Sequence, residues 1–168
     1  MAYYSADEMK KILDQNPQFR EKLYCRGFLL TNDGKYDTEG YPFYGNWKVQ
    51  SVKTGNNEYD IYTHKDANVY TYSDEKHTLF LFGHAYNPFR MKTDEEEILI
   101  DLSEALKSGN KSFWEAESEL TGVFCVGYIT EKGVVYSTDC AGMQLVYHGT
   151  ADGKLFLTSH SKLAADLK

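Results

Sequence analysis

From Cys25 to Pro88 the sequence is a succession of short aromatic and β-branched runs broken by Asn, Asp and Gly: "CRGFLLTNDG", "YPFYGNWKVQSV", "NEYDIYTH", "ANVYTYSD" and "HTLFLFG". Runs of this length and composition read as strands, and their punctuation supplies the residues that tight turns require. The same texture returns later as "VFCVGYIT", "GVVYSTD", "QLVYHGT" and "KLFLTSH", with Glu131-Lys132-Gly133 and Ala151-Asp152-Gly153 as turns. Nothing in this order specifies a parallel βαβ arrangement, so antiparallel pairing is the expectation. The 14 Tyr and 9 Phe fit it, because large rings fill the half-buried face of a pleated sheet.

Helical signals frame and divide these strands. Ser5 and Glu8 form a capping box, and Met9, Ile12 and Leu13 follow at helical spacing. Pro17 is placed to begin a second helix with Phe19 and Leu23 on one face, so the opening segment to about Tyr24 reads as a helical extension. The run Thr93-Asp94-Glu95-Glu96 reads as a capping box. Ile98, Leu99, Leu102, Ala105 and Leu106 then predict an amphipathic helix that ends near Gly109. A shorter helix carries Phe113, Trp114 and Leu120, and a last one begins near Ser161. Strands, two helices, strands and a closing helix predict an α+β fold in which sheets pack together and helices cover them.

At 168 residues the chain is read as one domain. With 25 acidic and 18 basic residues its net charge is −7, which argues against nucleic acid as a partner, since phosphate binding rests on Lys and Arg. No apolar run approaches the roughly 20 residues of a membrane helix, and "MAYYSADEMKK" is not a secretory signal. Cys25, Cys125 and Cys140 form neither a disulfide framework nor a metal-type pair, and a reducing, cytoplasmic setting fits them. The five histidines show no ligand pair on one helix face, and no glycine-rich phosphate loop is present, so no cofactor is expected.

One stretch raises a chemical question. "LFLFGHAYNPF", from Leu79 to Phe89, is apolar up to Phe82 and then meets Gly83, His84 and a polar cluster ending at Asn87. Gly83 is either a bare amide aimed at a ligand or a place where the chain must bend.

From Leu79 onward the sequence resembles the glutaminase domain of class II glutamine amidotransferases, most closely that of asparagine synthetase. "LFGHAYN" stands where that family has a strand ending in hydrophobic-Asn-Gly-Glu-Ile-Tyr-Asn, and "TDEEEIL" matches its helix-opening aspartate. "LTGVFCVGYI", "TDCAGMQLVYHG" and "LFLTSHSKLAADL" match three further segments in the same order. The resemblance implies an N-terminal-nucleophile hydrolase fold, a four-layer αββα sandwich of two antiparallel sheets between helices. It also implies glutamine or a similar small amino-acid-like ligand, and an ATP-dependent synthetase domain or partner. This chain carries no Ser-Gly-Gly-x-Asp-Ser loop of such a domain.

Carried over residue by residue, the family pattern assigns Gly83 to the oxyanion hole and Asp94 to the substrate ammonium, with His84 and Asn87 beside them as substrate-binding candidates. The family's catalytic cysteine is N-terminal, with its free amine as base. Here residue 2 is Ala2, and the oxyanion asparagine is replaced by Phe82. Loss of one such donor costs on the order of 3–4 kcal/mol of transition-state stabilisation. Lys65 sits roughly where the family has a carboxylate-binding arginine and lacks its bidentate grip. Three readings stay open. The domain is a degenerate scaffold or binding module; or it is an active glutaminase whose nucleophile, Cys25, is exposed by removal of residues 1–24; or it has a recut pocket lined by Phe82, His84 and Tyr86.

Overall fold

The structure is a computed structural model that describes residues 4–168, so Ala2 lies outside the described residues. In chain order the elements are α1 (Ala6–Gln15), a 3-10 helix (Pro17–Lys22), β1 (Phe28–Thr31), β2 (Trp47–Thr54), β3 (Asn57–His64), β4 (Val69–Ser73) and β5 (Thr78–Tyr86). They continue with α2 (Glu95–Lys107), α3 (Asn110–Glu117), β6 (Thr121–Thr130), β7 (Gly133–Thr138), β8 (Tyr147–Ala151), β9 (Lys154–Thr158) and α4 (Ser161–Asp166). The fold is α+β with two antiparallel sheets. The chain forms two compact units: one takes the chain up to Val52 with Glu58–Ala67 and Val146–Lys168, the other Lys53–Asn57 and Asn68–Leu145. Among the described residues no helix is long and apolar enough to cross a membrane.

The first unit holds the sheet with strand order β2-β3-β1-β9-β8. β1 lies in its centre, with Leu30 opposite Ile61 on one side and Leu157 on the other. All four β1 residues are buried, so both faces of the strand are covered, and "FLLT" is unbroken where a strand with one face in water would alternate. Leu29, Phe43, Trp47, Tyr62, Phe156 and Leu163 make its core, and the Phe43 ring stacks on Tyr62 with centroids 5.3 Å apart. Ser5 caps α1 through its side chain with Glu8 reciprocating, as the capping box predicts. The segment after Pro17 winds as a 3-10 helix and leaves Phe19 exposed, so the expected apolar face is not buried there. The chain before Cys25 is nonetheless anchored. Leu13 is buried, and the hydroxyls of Tyr24 and Tyr41 both donate to the Asp166 carboxylate, itself paired with Lys162.

The second unit holds the sheet β4-β5-β6-β7. Leu79, Leu81 and Ala85 of β5 and Phe124, Val126 and Tyr128 of β6 share one core with Ile98, Leu99, Leu102 and Leu106 of α2 and Phe113 of α3. The α2 residues are those that the i, i+1, i+4, i+8 spacing selects, and each buried leucine contributes about 1.5–3 kcal/mol by leaving water. Two sequence expectations shift. The cap of α2 is Asp94 rather than Thr93: its carboxylate accepts from the amides of Glu96 and Glu97, where a negative charge also meets the positive end of the helix dipole. β5 does not stop at Gly83 but runs on to Tyr86, because β6 continues to pair with it as far as Thr121.

Leu99 is fully buried between α2 and the sheet. Leu99→Ala is expected to lower unfolding stability by about 2–5 kcal/mol through the cavity it leaves, read as a lower urea midpoint at unchanged slope.

Candidate functional site

Gly83 has a steric reason to be glycine. Its φ is +100°, and a Cβ built on it would overlap the Val123 carbonyl oxygen of the neighbouring strand. Gly122 repeats the arrangement on β6 with φ +134°, where a Cβ would overlap the His84 carbonyl oxygen. The two glycines thus let β5 and β6 approach where Gly83 pairs with Phe124 and Ala85 with Gly122. The Gly83 amide is engaged as well, donating to the Asn68 carbonyl at 2.9 Å.

The flanking residues have defined places. Phe82 is buried, stacked on Phe80 with centroids 5.0 Å apart and paired across the ladders with Val69 and Cys125. His84 and Tyr86 are exposed. The His84 Nδ1–H donates to a Glu95 carboxylate oxygen at 2.9 Å, leaving Nε2 to accept from the Asn68 amide. Burial, and then the neighbouring Glu95 carboxylate, raise the pKa of Tyr70 beside them.

Asp94 and Asn87 both carry local structure. Asp94 Oδ1 accepts from the Glu96 and Glu97 amides at 2.9 and 3.2 Å, at the start of α2. Asn87 is buried and closes a loop: Oδ1 accepts from the amides of Phe89 and Arg90, while its backbone pairs with Lys92. Its side-chain amide donates to Glu119 at 3.0 Å and, with Arg90, holds that carboxyl below the usual carboxylate range. The structure therefore groups His84, Asn68 and Glu95 at the start of α2, and sets Asn87 to building the loop behind them.

Cys25 belongs to the first unit and sits in a sharply bent turn between Tyr24 (φ 52°) and Arg26 (φ 59°), both left-handed without being glycine. Such conformations cost of order 1–3 kcal/mol each and persist only where surrounding contacts enforce them. Here the Gly27 amide donates to the Tyr24 carbonyl, and the His64 amide donates to Gly27, one step beyond the ladder pair Phe28–Thr63. That register brings Cys25 to His64 and Asp66, and the ligating atoms of the three lie within 4.8 Å of one another. The Cys25 thiol faces an Asp66 oxygen at 3.8 Å. His64 is buried edge-on to Trp47, and its Nε2 meets the Glu21 carbonyl at 3.1 Å. The Cys25 nitrogen is a peptide nitrogen that donates to the Lys22 carbonyl. Nearby His160 has its pKa lowered by burial and, secondarily, by His64.

This cluster is not local in the sequence. His64 and Asp66 are a His-x-Asp at a strand end, and Cys25 reaches them only through the pairing of β1 with β3. The local trace of it in the sequence is the His-x-Asp of "YTHKD", which does not point to Cys25.

Gly83→Ala is expected to destabilise the protein by more than about 2 kcal/mol, from the left-handed φ and the Val123 overlap together. Gly149→Ala, where a Cβ meets nothing within 4 Å, is expected to stay within about 0.5 kcal/mol in the same chemical denaturation. No protein-family model matches the sequence, and no curated protein matches it.

Proposed function

We propose that this chain is a glutaminase-like domain of the class II amidotransferase type, akin to that of asparagine synthetase, acting as a scaffold or binding module and not as a catalyst. In this reading the fold is the N-terminal-nucleophile hydrolase sandwich, the ligand is glutamine or a similar small amino-acid-like molecule, and the partner is an ATP-dependent synthetase domain or protein. Two antiparallel sheets of five and four strands, with helices before, between and after their strands, support the fold assignment.

The observation that carries the non-catalytic reading is the Gly83 amide, which donates to Asn68 within the protein. An oxyanion hole needs donors aimed at the place where charge develops, about 2.7–3.1 Å from it. The other half of the pair is a buried phenyl ring at Phe82, which has no hydrogen to donate to oxygen. The competing reading, an active glutaminase with Cys25 freed at its N-terminus, must strip away a segment with structural roles. Leu13 is buried, Glu21 holds His64, and Tyr24 donates to Asp166.

Purified protein is expected to keep residues 1–24 by intact-mass measurement and to release no ammonia from glutamine above a protein-free blank. A mass short of those residues, together with ammonia release abolished by Cys25→Ala, overturns the proposal. Thermal-shift titration with glutamine and other amino acids separates its two forms: binding at 100 times Kd adds about 2.7 kcal/mol of stability, and a scaffold gains none.

A further inference from the structure

We propose that Cys25, His64 and Asp66 form a binding site for a divalent transition metal of the zinc type, a property independent of the glutaminase-like reading. Two edges of the ligand triangle are 3.8 Å (Cys25 Sγ to Asp66 Oδ2) and 3.9 Å (His64 Nδ1 to Asp66 Oδ2). A tetrahedral zinc ion with ordinary Zn–S, Zn–N and Zn–O bonds sets such edges at about 3.4–3.6 Å, so these two need to close by a few tenths of an ångström, and the third edge, within 4.8 Å, by up to about 1.2 Å.

The imidazole is already prepared for that role. A carbonyl oxygen can only accept, so His64 Nε2 carries the ring proton that it gives to Glu21. Nδ1 therefore holds a lone pair, which accepts from the amide of Asp66 at 3.1 Å, and it lies within 4.8 Å of the ligand atoms of Cys25 and Asp66. A histidine that donates one nitrogen to a backbone carbonyl and offers the other is the arrangement that fixes tautomer and ring plane in metal sites. Burial of the ring against Trp47 holds that plane. On binding, the metal takes the Nδ1 lone pair from the Asp66 amide.

The donor set selects the metal. One sulfur, one imidazole nitrogen and one carboxylate oxygen suit zinc or its cobalt surrogate, whereas magnesium and calcium prefer all-oxygen shells. The thiol enters as thiolate and its proton passes to solvent, so thiolate and carboxylate together balance the two charges of the ion. Lys22 and Lys65, on the same two segments, are both paired with Glu21, at 3.1 and 3.5 Å, and Lys22 also lies within electrostatic range of Cys25 and Asp66, a repulsion that the bound ion must overcome. Cys25 is partly buried and Asp66 is about half exposed, so the site has an entry from solvent. Three protein ligands leave a fourth position for water or an exogenous ligand.

The test uses the full chain after chelator treatment, titrated with Co2+ under reducing conditions. Expected are one equivalent bound, a thiolate-to-cobalt charge-transfer band with tetrahedral-type visible bands, and loss of the spectrum on adding Zn2+. Cys25→Ser should abolish the charge-transfer band, and the control Cys140→Ser should keep it. Asp66→Asn should keep the band but raise the cobalt Kd by about tenfold or more, the loss that even an outer partner of a ligand produces. Asp66 is exposed enough that this variant folds, as a parental near-ultraviolet circular dichroism spectrum would verify. Absence of a thiolate band at equimolar cobalt, its survival in Cys25→Ser, or an unchanged Kd in Asp66→Asn overturns the site.

Discussion

The second unit is organised by a steric limit on one backbone position. At Gly83, β5 presses against the Val123 carbonyl on the β6 side while its own amide is claimed by Asn68 from the segment leading into β4. Three stretches of chain thus meet at a residue that tolerates no side chain, and strand register on both sides follows from it. Because a one-residue slip would turn every side chain to the opposite face, this pin also decides that Leu79, Leu81 and Ala85 meet α2. The same geometry answers what the glycine is for: it permits close strand approach and an internal hydrogen bond.

A second organising fact is that polar residues near the strand ends are consumed by local architecture. Asp94 caps α2, Asn87 folds the loop that follows β5, and Glu119 receives both Asn87 and Arg90. These are groups that a reader of the sequence would nominate for ligand contact, because they are polar, clustered and adjacent to a glycine. Backbone amides at a helix start and in a tight turn need acceptors, and short polar side chains are the cheapest source of them. His84 differs, since it stands exposed with its ring held by Glu95 and Asn68.

What could be read from the sequence was what local physics determines. The Ser5–Glu8 capping box, the apolar stripe of α2 and the turns at Glu131-Lys132-Gly133 and Ala151-Asp152-Gly153 depend on residues within a few positions of one another, and each appears as expected. Element boundaries differ from the local expectation where a competing residue decides the outcome. Asp94 outcompetes Thr93 as cap by its charge, and β5 outruns Gly83 because a partner strand continues beside it. "YPFYGN" has the composition of a strand and is turn up to Trp47, its aromatic rings, Phe43 above all, serving the core from loop backbone. The Cys25–His64–Asp66 cluster was out of reach for another reason. It exists only once β1 and β3 pair in one register, and no spacing rule expresses that.

The strand order of the first unit has a consequence for biosynthesis. β1 pairs on one flank with β3, some thirty residues downstream, and on the other with β9, where Leu30 faces Leu157. Between them the ribosome must deliver the whole of Asn68–Leu145, whose strands β4 to β7 form a sheet from continuous chain. The later-encoded sheet is therefore free to mature first, while nascent β1 waits with an unpaired apolar flank of "FLLT" until β9 emerges. A pause in translation near residue 150 would prolong that vulnerable interval, and chaperone engagement during synthesis should concentrate there.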